Sequence, residues 1–480
     1  MSQKPTIILA TSNGVGMGHL ARASAVALAL KEIANPIIVS MAGGIAEIPS
    51  ALGIRCEYIP GKDRMWMSRE KWDIYLRDRL LALIEETDAK VLSFDGVVPY
   101  PGVIAAKNSH ADLKLVWVRR GLWQKKPQRF VLGLQSAMMD LVIEPGDFAR
   151  AYDFGPTAQR KEAVLTAPVS LFRKEDAMSR DDARKTLGLD PHRPTVLVQL
   201  GTGDSDVNEK MTAALEGLLG WKELQVVLTK APVDKDGKSL APQGLDLKVV
   251  RYFPLANVLR AFDAGICATG YNGVHELLPA EIPTVFVSNI RGTDDQEARA
   301  KWCNDFGFAL RADQSDHSGI TAKVKMLQDR AVRARLSAQC AELPDTSGAH
   351  EIAEMLYNLA MTPNKTGPKN FTFLRLMAQD QINRGLRNLA KRGLRHIANL
   401  GLRRVALVYR YLNPHISVQE IDQSPPVFGE QVAAADLHPL IKSSTRFEHL
   451  VTGSSPRYRK RREEIAFAAY GKEMVVTKRK

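Results

Sequence analysis

His19 closes a glycine-rich loop, Asn13-Gly14-Val15-Gly16-Met17-Gly18-His19, that follows a β-branched run and opens an apolar stretch of helical length. Glycines at such a junction let backbone approach a ligand closely, and a helix N-terminus offers unpaired N–H groups and partial positive charge to an anion. An imidazole at the mouth of the loop titrates near about 6.5, which suits proton transfer close to neutrality. Capping the helix or holding a phosphate are the other roles open to it. A second loop, Ala268-Thr269-Gly270-Tyr271-Asn272-Gly273, feeds a short helix expected over Val274-His275-Glu276-Leu277-Leu278 and reads as another diphosphate site. Glu276, one turn inside, can accept hydrogen bonds from both hydroxyls of a ribose attached to that diphosphate. Asp294-Asp295-Gln296 follows another strand, where carboxylate and amide groups suit the hydroxyls of a sugar. These residues together describe a nucleotide-sugar site.

Other chemistries fit less well. A dinucleotide fold calls for an acidic residue ending the second strand, and here that strand ends Val39-Ser40-Met41-Ala42. Cys56, Cys267, Cys303 and Cys340 are widely spaced with no Cys-x-x-Cys, so neither a disulfide framework nor a cysteine zinc site is indicated. The histidines form no His-x-His or His-x-x-x-His pair, and no metal site is expected. The chain has no long apolar run and no early stretch resembling a secretion signal, so a cytoplasmic location is expected.

The elements that must position these loops alternate between β-branched runs and amphipathic stretches, the pattern of parallel sheets with crossover helices. One series of strands is expected at 6–10, 36–40, 90–94, 114–118 and 141–144, and a second at 195–200, 225–229, 248–252, 264–267, 284–288 and 308–310. Residues 155–194, with a charged helix over 180–187, connect them. The fold class is therefore α/β, with domains at 1–160 and 161–360 enclosing a cleft and an extension at 361–480.

The extension has a different character. Of 66 Lys and Arg and 53 Asp and Glu in the 480 residues, it holds 22 basic and 9 acidic, which accounts for the whole net charge of +13. Residues 371–412 carry nine basic residues and one acidic, with Ile382, Leu386, Leu389, Ile397, Leu400 and Val408 spaced for one helical face. Such a segment can dock on an anionic membrane surface; nucleic acid and a disordered solubilising end are the competing readings.

The stretch 265–302, with Gly270-Tyr271-Asn272-Gly273, His275-Glu276-Leu277-Leu278, Ile282-Pro283 and Asp294-Asp295-Gln296-Glu297-Ala298, resembles the donor-binding half of glycosyltransferase family 28. Gly16-x-Gly18-His19 resembles that family's acceptor-side loop, and Gln199-Leu200-Gly201-Thr202-Gly203 its second glycine loop near the donor phosphates. The similarity covers about residues 5–360. It implies the GT-B architecture, two Rossmann-like domains facing a cleft, with a UDP-sugar held mainly by the second. Two departures stand out. Glu281 occupies a position where the family usually has Gly, and the first loop reads Gly18-His19-Leu20-Ala21-Arg22 where the family has Pro in place of Arg22. A Gly-His-x-x-Arg loop resembles the related UDP-sugar hydrolase of the pseudaminic acid pathway.

The leading expectation is an inverting, metal-independent glycosyltransferase that needs no cofactor beyond the UDP-sugar co-substrate. Its acceptor would be a glycan or lipid-linked cell-envelope molecule at the inner face of the membrane. A hydrolase, an epimerase and a sugar-nucleotide sensor remain alternatives. Candidate catalytic residues are His19 as base with Asp95 and Arg120, which end predicted strands; Arg119 is a neighbour of the same kind. Candidate donor ligands are Gly16, Gly18, Gly201, Thr202, Gly203, Phe253, Gly270, Tyr271, Asn272, Gly273, His275, Glu276, Asp295 and Gln296. The dipole of the Gly270 to Gly273 loop would meet the charge of the leaving diphosphate.

Overall fold

Runs such as Thr6–Thr11 (TIILAT) and Thr195–Gln199 (TVLVQ) are almost continuously apolar or β-branched, as strands covered on both faces must be. In a computed structural model, which describes residues 4–12, 18–41, 52–59, 61–62, 69–125, 129–201, 207–229, 242–250, 252–363, 369, 371–376, 378, 457–458, 460–461 and 464–465, they build two parallel sheets. The first has seven strands: β1 (Thr6–Thr11), β2 (Asn35–Ser40), β3 (Arg55–Tyr58), β4 (Val91–Asp95), β5 (Lys114–Val118), β6 (Leu141–Glu144) and β7 (Ala163–Leu165). Their spatial order is β3-β2-β1-β4-β5-β6-β7. The second sheet comprises β8 (Thr195–Gln199), β9 (Gln225–Thr229), β10 (Asp246–Val250), β11 (Ala264–Ala268), β12 (Thr284–Val287) and β13 (Leu310–Ala312), in the order β10-β9-β8-β11-β12-β13.

Both sheets reverse direction of growth once, between β1 and β4 and between β8 and β11. At such a switch point the loops leaving the two central strands diverge and open a crevice at their carboxyl ends, where doubly wound folds bind ligands. The helix Gly18–Leu30 starts at the first switch point and the helix Tyr271–Leu277 at the second. The former is rich in alanine and buries Leu20, Ala23, Val26, Ala27 and Leu30. It can be apolar nearly all round because its outer side is covered by the helix Gly348–Met361, which buries Ile352, Ala353 and Leu356 in the same cluster.

The domain boundary therefore needs correction. The sequence places it at 160, yet Ala163–Leu165 pairs with β6 as the last strand of the first sheet, and Gly348–Met361 returns to pack on the first domain. The chain crosses between domains twice, and the crossings touch: Val169 and Ser347 form an antiparallel bridge, and the Gly348 N–H donates to Pro168 O at 3.1 Å. The periodicity also missed β3, a four-residue strand whose charged Arg55 and Glu57 mask the pattern. Strand ends differ by one or two residues elsewhere; 308–310 becomes Leu310–Ala312.

Most of 361–480, including nearly all of the basic segment 371–412, lies outside the described residues. What is described is seated on the first domain. Phe373, Leu376, Tyr458 and Ile465 are buried in the cluster that contains Trp72, Leu80 and Trp117. The Arg55 guanidinium stands over the Tyr458 ring at 5.3 Å, and Lys369 Nζ donates to Ala137 O and Met139 O at 3.0 and 2.9 Å. The helix Arg69–Thr87 explains this: Trp72, Ile74, Tyr75, Leu76, Leu80, Leu83 and Ile84 are all buried, more apolar surface than one face can hold. Among the described residues no helix is long and apolar enough to cross a membrane.

Candidate active site

At the end of β4, Asp95 meets the first turn of the Gly18–Leu30 helix. Its Oδ1 lies 2.6 Å from His19 Nδ1, and Arg22 grips both oxygens, Nε to Oδ2 at 3.0 Å and Nη2 to Oδ1 at 2.6 Å. A nitrogen and a carboxylate oxygen so close need a proton between them, so Nδ1–H donates to Asp95 and the Nε2 lone pair points outward. Among the described residues Nε2 has no partner. Burial lowers the His19 pKa below 6.5; Asp95 works against this, while Arg22 and Arg120 add to it. The ring is thus neutral near pH 7. Burial alone would raise the Asp95 carboxyl, but Arg22 and His19 hold it below the ordinary aspartate range. Gly96 follows because a side chain there would run into the Phe94 ring and Ser12 Cβ at 2.8 Å.

Across the cleft the second helix begins earlier than the sequence suggests, at Tyr271 rather than Val274, with Gly270 as an N-cap that supplies no side-chain hydrogen bond. Space beside Gly270 is open. Asn272 Nδ2 donates to Gly18 O at 3.2 Å, so this helix touches the loop that carries His19. Glu276 lies four residues on, on the same face. It is half-buried, has no side-chain partner among the described residues, and burial pushes its carboxyl up to about 8. At the end of β8, Gly201 adopts φ +82°, and a Cβ there would press on Asn289 Nδ2 at 3.2 Å. Phe253 precedes a cis proline and packs on the first domain's apolar cluster.

Several expected donor ligands turn their side chains elsewhere. His275 is fully buried: Nδ1–H donates to Tyr271 O at 2.6 Å, Nε2 accepts the Phe148 N–H at 3.2 Å, and burial, against Asp147, lowers its pKa to about 4. Tyr271 reaches across to the first domain, its hydroxyl donating to Gly146 O at 2.7 Å and accepting from Val169 N at 3.0 Å. Gln296 accepts the Asn289 N–H at 2.9 Å, and Asp295 caps the helix Gln296–Asp305 through Ala298 N at 3.0 Å. Their backbone is at the site, but in this structure their side chains hold it together. Gly16, Thr202 and Gly203 lie outside the described residues. Arg119 is turned inward to Glu144 and Glu162 at 3.4 and 2.8 Å.

Sequence reasoning missed the charges that join the domains. Arg299, fully buried, reaches Asp147 at 2.9 Å, Asp294 at 3.0 Å and Thr269 O at 2.8 Å. Asp294, held at about 2 chiefly by Arg120 and Arg299 against burial, also pairs with Arg120 at 3.3 Å. Asp147 and Arg120 belong to the first domain and Arg299 and Asp294 to the second, so the four charges tie the walls of the cleft together. Beside them Trp123 bridges Asp294, and the Gln124 N–H donates to Thr293 O at 2.7 Å. The Arg120 pKa is lowered, by burial first and then by Arg22 and Arg299, with Asp294 opposing. The sequence singles out Asp294 and Arg120, as a sugar-facing carboxylate and a catalytic candidate, but not as partners of each other or of Arg299 and Asp147.

Comparison with known proteins gives the same frame. No family model matches the chain. Over 198 residues it is 29% identical to the UDP-N-acetylglucosamine--N-acetylmuramyl-(pentapeptide) pyrophosphoryl-undecaprenol N-acetylglucosamine transferase of Frankia casuarinae, covering 39% of this chain and 52% of that one. The similarly named protein of Cutibacterium acnes is 25% identical over 295 residues, 58% of this chain and 75% of its own. The first of these matches thus spans about half the length of its relative. Among solved structures, the glycotransferase of kitacinnamycin superposes with a TM-score of 0.51 at 16% identity, over 75% of this chain and all of that one. The spinosyn forosaminyltransferase does so at 0.50 and 14%, over 74% and 99%. The chain is therefore similar in sequence to N-acetylglucosamine transferases of glycosyltransferase family 28, and its architecture is the GT-B fold.

Proposed function

We propose that the protein moves a sugar from a UDP-sugar to a hydroxyl of a lipid-linked or other cell-envelope acceptor, with inversion and without a metal. The observation that carries this reading is Glu276: a desolvated carboxyl group without a side-chain partner among the described residues, at the second switch point, on the helix face that touches the His19 loop. Ionising that carboxyl is costly unless a ligand supplies donors, and the two hydroxyls of a ribose do so. The diphosphate then reaches the uncapped turn after Gly270, where backbone N–H groups face it.

The acceptor hydroxyl approaches from the first domain. His19 Nε2 takes its proton as the oxygen attacks the anomeric carbon, and Asp95 stabilises the imidazolium that forms. The bond from that carbon to the diphosphate breaks, and the leaving oxygen is met by the Gly270 to Gly273 backbone and by Arg120, the more accessible guanidinium beside His19. One displacement inverts the carbon. A UDP-sugar hydrolase is the second reading, favoured by Arg22 within the His19–Asp95 pair; water then replaces the acceptor hydroxyl. UDP release separates the two, since transfer requires that release depend on an added acceptor and survive chelation of divalent metals. Release at the same rate without acceptor establishes hydrolysis instead, and a chelator-sensitive rate ends the metal-free mechanism.

A further inference from the structure

Arg22, one turn past His19 on the same helix, is only 3% exposed. Its contacts go beyond support of Asp95. Nη2 lies 2.9 Å from His19 Nδ1, and the guanidinium stacks over the Tyr271 ring of the second domain with its carbon 5.0 Å from the centroid. With Nδ1–H already given to Asp95, the 2.9 Å approach is not a hydrogen bond but a cation set against the ring. Tyr271 is pinned through its hydroxyl to Gly146 O and Val169 N, and the guanidinium that rests on it is held by its two bonds to Asp95.

We propose that Arg22 is a positioning residue that keeps the His19 imidazole neutral, with Nε2 free to accept a proton, by holding Asp95 in place and setting its own positive charge against Nδ1. The proposal rests on the reading of His19 as the base. Asp95 by itself would do two things to His19: fix the Nδ1–H tautomer and favour the imidazolium. Arg22 leaves the first intact and opposes the second, because a carboxylate already paired with a guanidinium attracts a second cation less. The charged groups facing His19 are Asp95 from β4, Arg22 from its own helix and Arg120 from the end of β5. Tyr271, from the opposing helix, faces Arg22. Burial and the two arginines together outweigh Asp95.

The test is a titration of the His19 ring by NMR in the full chain with carbon-13-labelled histidine, assigned by loss of its signal in His19→Gln. Arg22→Gln keeps an N–H donor for Asp95 but removes the charge; Arg22→Met is a second neutral variant should the first not fold. Arg22→Lys keeps the charge. The expected result is an upward move of the His19 titration by about one unit or more in either neutral variant, and little change in Arg22→Lys. The acid limb of kcat/KM should move with it. A titration unmoved in the neutral variants, or moved equally by Lys, overturns the proposal, because a merely structural arginine would lower stability without moving the ring. The two readings fail separately: if no UDP-sugar is turned over by the parent protein, the function falls while the titration still decides the role of Arg22.

Discussion

Replacing Glu276 by glutamine should make the protein more resistant to unfolding in mild base and a poorer ligand for UDP. Its carboxyl has an ordinary value of 4.5 and sits at about 8 in the folded protein. Below about 4.5 both folded and unfolded chains hold the proton and nothing is lost. Between there and about 8 only the folded chain keeps it, so stability falls as pH rises through this window. At about 1.36 kcal/mol per unit the full difference is at most about 5 kcal/mol, and residual solvent contact of this half-buried group reduces it to about 2 kcal/mol. The assay is urea unfolding at pH 5 and at pH 8.5: the parent should lose about 2 kcal/mol relative to Glu276→Gln between the two. Binding of UDP, measured by calorimetry, should weaken by about 10- to 100-fold in the variant, the worth of hydrogen bonds to a charged acceptor. Because ribose hydroxyls favour the ionised carboxylate, parental affinity should also rise from pH 6 towards 8. Equal pH slopes for the two proteins, or equal UDP affinity, would refute the reasoning.

Substituting His19 by Asn should lower kcat by about 10²- to 10⁴-fold while UDP affinity changes less than about twofold; a large loss of UDP binding would make His19 a donor ligand rather than a base. Arg299→Met strands Asp147 and Asp294 in a buried interface and should cost about 3–5 kcal/mol in urea unfolding, an expectation defeated by a loss below about 1 kcal/mol. Phe373→Ala, in the extension but fully buried against the first domain, should cost about 3–5 kcal/mol, whereas a loosely attached arm predicts no change. Glu281 holds φ +59°, a strained value for a residue with a Cβ, and its side chain makes an exposed pair with Lys174 at 2.9 Å. Glu281→Gly should therefore stabilise by about 1 kcal/mol, and a lower thermal midpoint would count against that account.

The two sheets, the cleft and the placement of His19, Asp95 and Glu276 were legible because each depends on local pattern: β-branched runs, glycine at strand ends, a residue one or two turns into a helix. Side-chain direction was not. Whether His275 faces a ligand or the buried interior is decided by Phe148 and Asp147, more than 120 residues away in the chain. The same holds for Gln296 and Tyr271, whose partners come from a loop and from the other domain. Arg22 stood out as a departure, but its grip on Asp95 joins two elements 73 residues apart and no spacing rule announces it. The returning helix Gly348–Met361 was equally hidden, since amphipathic periodicity says that a face is buried and not against what.

Because the paired crossings at Val169 and Ser347 run side by side, they join the domains as a double strap rather than as a single tether. Swinging one domain away from the other would have to part the buried Arg299–Asp147 and Arg120–Asp294 pairs, and sliding it along would tear the bridge apart. His19 and Glu276 are thus held in register across the cleft by the double crossing and by the buried charges together.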